Sequence, residues 1–89
     1  MKVGELRTFL GRFEADCDVV MTGSTDGDVG YLKISRGDDA VVELAYDCYK
    51  EDWYYFIGND TSGKDFKDGG EMIKEIIDKF EQALKNMEA

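Results

Sequence analysis

Gly58, Gly63 and Lys64 stand at the G-x-x-x-x-G-K spacing with which phosphate-binding loops begin. In such a loop glycines let backbone N–H groups wrap the phosphates. The lysine meets the terminal phosphates, and a following Ser or Thr ligates magnesium. Here the hydroxyl position is Asp65, and Asp60 lies inside the loop, where it would repel phosphate. The motif must open a helix at once, yet Gly69-Gly70 disfavours helix until about Glu71. Only 24 residues follow Asp65, too few for further βαβ units and a magnesium-positioning acid. The stretch 58–65 therefore reads as a glycine-rich loop between a strand and a helix.

Other chemistry is no better supplied. There is no histidine, so Ser–His and Cys–His nucleophiles and the commonest general base are lacking. Cys17 and Cys48 are too few for a closed zinc site, which takes four ligands. In a reducing cytosol they are expected as free thiols. Asp26 and Asp28 within "TDGDVG" fall short of a calcium loop and read as an Asp-Gly hairpin turn. "RGD" at 36–38 reads as a turn, and "NDT" at 59–61 is a glycosylation sequon only in a secreted chain. Carboxylates abound, but none is marked as one held in a pocket with a raised pKa. The expectation is a non-enzyme with no cofactor and no metal.

What the chain does supply is negative charge. It carries 20 acids and 11 bases, for a net charge of −9. Residues 14–52 hold eleven of those acids and three bases, so nearly the whole excess lies mid-chain. Phosphate neutralisation needs Lys and Arg, so direct nucleic-acid binding is not expected. The natural partner of this field is a basic surface.

These residues must be positioned by a single small domain of 89 residues. No apolar run reaches the roughly 20 residues of a membrane span. "MKVGELRTFLGRF" carries charge through its apolar part, unlike a signal peptide, so a cytoplasmic protein is expected. Val3, Leu6, Phe9/Leu10 and Phe13 recur at helical spacing and predict a short amphipathic helix over about 3–13. "CDVVMT" (17–22), "YLKIS" (31–35), "AVVELAY" (40–46) and "WYYFI" (53–57) predict four strands. Turns at 23–30 and 36–39 and a charged connection at 47–52 separate them. Ile73, Ile76/Ile77, Phe80, Leu84 and Met87 form one stripe of a longer helix over 71–87.

The order α-β-β-β-β-α with short connections predicts a two-layer α+β domain. A four-stranded antiparallel sheet would carry both helices on one face and leave the other partly solvated. Alternation sends Trp53, Tyr55 and Ile57 one way and Tyr54 and Phe56 the other. In a simple meander, 23–30 and 47–52 meet at one end of the sheet and 36–39 sits apart. The expected partner-binding residues are Asp26, Asp28, Asp38, Asp39, Glu43, Asp47, Glu51 and Asp52, with Tyr49, Trp53 and Tyr54 as aromatic anchors.

The opening "MKVGELRTFLGRFEADCDVVM" resembles the start of small phage and prophage proteins of unassigned function. These open like M-T-V-G-E-L-x-x-x-L, then a short acidic or proline turn, then V-x-V. Lys2 replaces a threonine able to cap the helix with Glu5, so the reciprocal capping box is not expected here. Glu14-Ala15-Asp16 replaces the proline turn. In size, acidity and α+β class the whole chain is similar to some anti-CRISPR proteins, several of which occupy a DNA-binding channel by imitating phosphate charge. The resemblance implies a phage-type inhibitor that blocks a basic nucleic-acid-binding host protein, such as a CRISPR effector. Two other readings predict different partners. An immunity protein would meet a basic nuclease toxin encoded nearby, and a scaffold module would form a homodimer through its aromatic open face.

Overall fold

The computed structural model describes residues 1–37 and 39–88. Helix α1 (Val3–Leu10) leads into strands β1 (Asp18–Gly23), β2 (Val29–Arg36), β3 (Asp39–Asp47), β4 (Asp52–Ile57) and β5 (Asp60–Thr61), and helix α2 (Gly69–Glu88) follows. The strands form one antiparallel meander in the order β1-β2-β3-β4-β5.

The α+β class and the helix at either end agree with the sequence reading, but the sheet has five strands, not four. Gly58 adopts φ +61° and supplies the first central residue of a two-residue turn, so Ile57 pairs with Asp60 and Phe56 with Thr61. The chain stays on the edge of β4 beyond β5. The Ser62 N–H donates to the Tyr55 carbonyl (2.6 Å), and Trp53 and Phe66 exchange two backbone bonds of 2.7 Å. Within the stretch 58–65 expected as a glycine-rich loop, only Asp60 and Thr61 are strand, while 58–59 form the turn and 62–65 are an irregular loop held along β4. Its Lys64 ammonium lies 3.4 Å from Glu75 and 4.9 Å from the Phe66 ring centroid.

The core forms where both helices meet the sheet. Alternation puts Leu32 and Ile34, Val42 and Leu44, and Tyr55 and Ile57 on one face. Phe9 of α1 and Met72, Ile73 and Ile76 of α2 close over them. Phe13 extends this contact edge-on, 5.1 Å from Phe9 and 6.0 Å from Phe80 by ring centroids. β1 belongs to the same sheet but escapes this cover. An eight-residue helix is only about 12 Å long, and Phe9, its buried residue, joins the core cluster with Ile34, Val42 and Leu44 of β2 and β3. Val19 and Met21, on the helix side of β1, remain 53% and 77% exposed.

The two helix starts share one carboxylate. Glu5 accepts the Lys2 N–H (2.6 Å), which is half of a capping box, because the lysine side chain offers no acceptor. The same carboxylate lies over Gly70 so closely that a Cβ there would overlap it. At the start of α2 the Gly70 N–H donates to Asp68 (2.9 Å). This explains why a glycine pair, which reads as a helix breaker, instead opens a helix two residues before the expected start. Gly70→Ala should therefore gain less than the roughly 1 kcal/mol that removing a helical glycine ordinarily yields. The full gain should appear only in a Glu5→Ala background, as urea-melt double-mutant cycles would read.

One polar group of the core is completed by α2. The Tyr55 hydroxyl donates to Glu75 (2.6 Å). That bond holds the Glu75 carboxyl below its ordinary value of 4.5, with Lys64 assisting. A depressed folded-state pKa contributes stability that is complete above the unfolded value and is lost as pH falls below about 4.5. Tyr55→Phe should cost about 1–2 kcal/mol at neutral pH. The gap from wild type should narrow in urea melts taken progressively below that pH.

Candidate functional site

The acidic residues converge at the end of the sheet where 24–28 turns β1 into β2 and 48–51 turns β3 into β4. The Cys48 N–H donates to the Asp28 carbonyl (2.8 Å), and Val29 pairs with Asp47, so the two turns are tied together by backbone. Each turn is built by its own acid. In the first, Asp26 accepts the Ser24 hydroxyl (2.7 Å), and the Ser24 hydroxyl accepts the Val29 N–H (3.0 Å), while Gly27 supplies φ +79°. In the second, Asp47 accepts the Tyr49 and Lys50 N–H groups at 3.0 and 3.2 Å. Glu51 then takes a left-handed φ of 54°, a conformation uncommon for a side-chain-bearing residue. That twist closes the hairpin and leaves Glu51 in solvent.

The electrostatics of this end follow from the crowding. The Ser24 hydroxyl lowers the Asp26 carboxyl. Asp28 is pushed the other way by desolvation, by the neighbouring Asp26 and by the charge of Asp47. Asp26, Asp28, Asp47 and Glu51 therefore form one acidic end, with Tyr49 projecting from it at 81% exposure. Among the described residues no three Cys, Asp or Glu side chains converge as a metal-holding group.

The other expected contact residues lie elsewhere. The Asp52 side chain is only 13% exposed and its Oδ1 lies 2.5 Å from the Lys67 ammonium, which that contact raises in pKa. This acid is occupied by an internal ion pair and does not join the exposed set. Trp53 turns to the helix side, 4.7 Å from Tyr46 by ring centroids, and packs against the core. The alternation along 53–57 grouped Trp53 with Tyr55 and Ile57 but did not say which set meets the helices, so its expected role as an exposed anchor is not what its placement against the core provides. Tyr54 stands on the opposite, open face with Tyr31 and Phe56. Its hydroxyl is pushed up to about 12 by burial, by the Tyr31 phenol and by Asp47 and Asp65. Glu43 shares that open face, flanked across the strands by Lys33 and Phe56. Asp39 pairs with Arg36 at the far end of the sheet. Asp38 lies outside the described residues.

Comparison of the chain with protein-family models, with curated proteins and with solved structures gives no match. The site is therefore read from its own geometry. No helix among the described residues is long and apolar enough to cross a membrane. Cys17 is half-buried beside the start of β1, whereas Cys48 is exposed at the acidic end, and both are free thiols.

Sequence reasoning had no access to two apolar hollows beside β1. One, of about 280 Å³, is lined by Met1, Leu6, Met21, Leu32, Tyr46 and Trp53 among others. The other, of about 200 Å³, is lined by Leu10, Phe13, Cys17, Val19 and Ile34 with Glu14 and Ala15. The signal for both was present in part, as the apolar run Val19-Val20-Met21 lies in the first strand, which a meander leaves at an edge.

Proposed function

We propose that this chain is a non-enzymatic acidic binding protein. Its charged sheet end docks on a basic, nucleic-acid-binding surface of a host defence enzyme, in the manner of an inhibitor that imitates DNA phosphate. A CRISPR effector is a partner of the required kind. The observation that carries this reading is the joining of turns 24–28 and 48–51 by the Cys48–Asp28 bond. It gathers Asp26, Asp28, Asp47 and Glu51 around the exposed Tyr49, so that a local field surrounds an exposed aromatic. Asp28 stands in the same cluster, its carboxyl raised by desolvation, by its hydrogen bond with Asp26 and by the charge of Asp47, and a cationic partner would offset the last of these.

Tagged protein should capture a nucleic-acid-binding protein from host lysate at about 50 mM salt and release it at about 500 mM, where screening shortens to a few ångströms. Duplex DNA added at the lower salt should displace the same protein. Capture that neither salt nor DNA reverses would overturn the DNA-mimic mechanism.

A further inference from the structure

β1 ends the sheet without the features that ordinarily protect an edge. It has no lysine, no proline and no bulge, and Val19, Val20 and Met21 are 53%, 41% and 77% exposed. Its backbone presents a regular row of free groups. The Ser24 N–H donates to the Val29 carbonyl (2.9 Å), and antiparallel bonding alternates from there. Thr22, Val20 and Asp18, opposite Tyr31, Lys33 and Ser35, therefore turn their N–H and C=O groups to β2. Val19, Met21 and Gly23 turn theirs outward.

We infer that this edge pairs with a second copy of itself, joining two five-stranded sheets across a two-fold axis at Val20. The strand is self-complementary in that register. A two-fold normal to the sheet keeps the helix face with the helix face, so Met21 of each copy stands opposite Val19 of the other as a hydrogen-bonded pair. Val20 meets its own equivalent on the open face. Asp18 falls opposite Thr22, so no acid faces an acid along the ladder. The helix side supplies the fit. The hollow of about 200 Å³ beside Val19 lies next to the position that the other copy's Met21 reaches, and methionine is the side chain that best fills irregular apolar space. Antiparallel pairing also sends the two acidic ends in opposite directions. The end that turn 24–28 then approaches carries the exposed Asp16 as well as Glu14, which is paired with Arg36 at 3.2 Å, so like charge there adds to the repulsion that salt screens.

This association is independent of the proposed docking function, and salt separates the two. Each copy carries net charge −9, so self-association is opposed by long-range repulsion and should tighten with salt, whereas docking on a basic partner should weaken. Sedimentation of the purified chain should show a dimer whose association strengthens about tenfold between about 50 and 500 mM salt. Met21→Lys should weaken it at least about tenfold, with an unchanged circular dichroism spectrum because the side chain is on the surface. Phe56→Glu, on the open face, should leave it intact. Hydrogen exchange on the wild type reads the same edge without a variant: the Val19 and Met21 amides should gain protection as concentration rises. A chain that stays monomeric up to about 1 mM at the higher salt overturns the inference. So does a dimer that survives Met21→Lys, or one that leaves those two amides unprotected.

Discussion

Phe9→Ala is expected to leave most of the chain unfolded in mild urea. Phe9 is fully buried and is the one residue of α1 in the innermost core, beside Met72, Ile76 and Ile34. Truncating a phenylalanine in such a place costs about 3–5 kcal/mol. A domain of this size has about 5–10 kcal/mol in total, so between about a third and all of it would be lost. The loss also spreads. An eight-residue helix has no stability of its own in water, and once its anchor is gone α1 leaves with Leu6, Phe13 and the Glu5 carboxylate at the start of α2. The urea midpoint should fall by a large fraction of its wild-type value. Leu84→Ala, on a side chain 57% exposed in the part of α2 beyond the core, should move it by less than about 0.5 kcal/mol. Equal effects of the two substitutions would show that α1 is not anchored as described.

The second large effect concerns binding. Asp28→Lys and Glu51→Lys combined with Asp26→Asn should abolish capture of the basic partner, a loss of at least about a hundredfold in affinity. These positions were chosen by their structural duties. Asn at 26 keeps an acceptor for the Ser24 hydroxyl, and Lys at 51 meets the same left-handed backbone as Glu. Asp52 is spared because reversing it would set two ammonium groups together at a half-buried site. The fold should tolerate the change. Asp28 has a folded-state pKa above its ordinary 3.8, so the folded state binds that proton more tightly than the unfolded chain. Its ionisation therefore lowers stability as pH rises through that interval, and removing the carboxylate removes the penalty. Asp26 shifts the other way, its carboxylate held by the Ser24 hydroxyl, so its loss offsets that gain and the triple variant should melt close to wild type at pH 7. Unchanged affinity in the folded variant would sink the proposed function.

The sequence was most legible where side-chain alternation met tight turns. Leu32/Ile34, Val42/Leu44 and Tyr55/Ile57 announce a helix-covered face, and the meander follows from connections too short for crossovers. The meeting of 23–30 with 47–52 was legible for the same reason, since in a meander alternate turns share an end. β5 was not, because the two paired residues Asp60 and Thr61 have no period to detect. The start of α2 was hidden by its glycines, whose reason is a contact with Glu5 more than sixty residues away. Asp52 reads as one more surface acid until Lys67 is placed beside it. Long-range pairs of this kind leave no local trace.

The order in which the strands are paired also fixes a sequence of events. Every sheet contact joins neighbours in the chain, so each hairpin can close on a microsecond scale without waiting for distant segments. The packing of α1 on α2 is different, since it spans nearly the whole chain. At ordinary synthesis rates of about 5–20 residues per second, the last strand, ending at Thr61, precedes Met72 by roughly half a second to two seconds. During that interval Ile34, Val42 and Leu44 lack the cover of α2, and the unfinished chain exposes its most aggregation-prone surface.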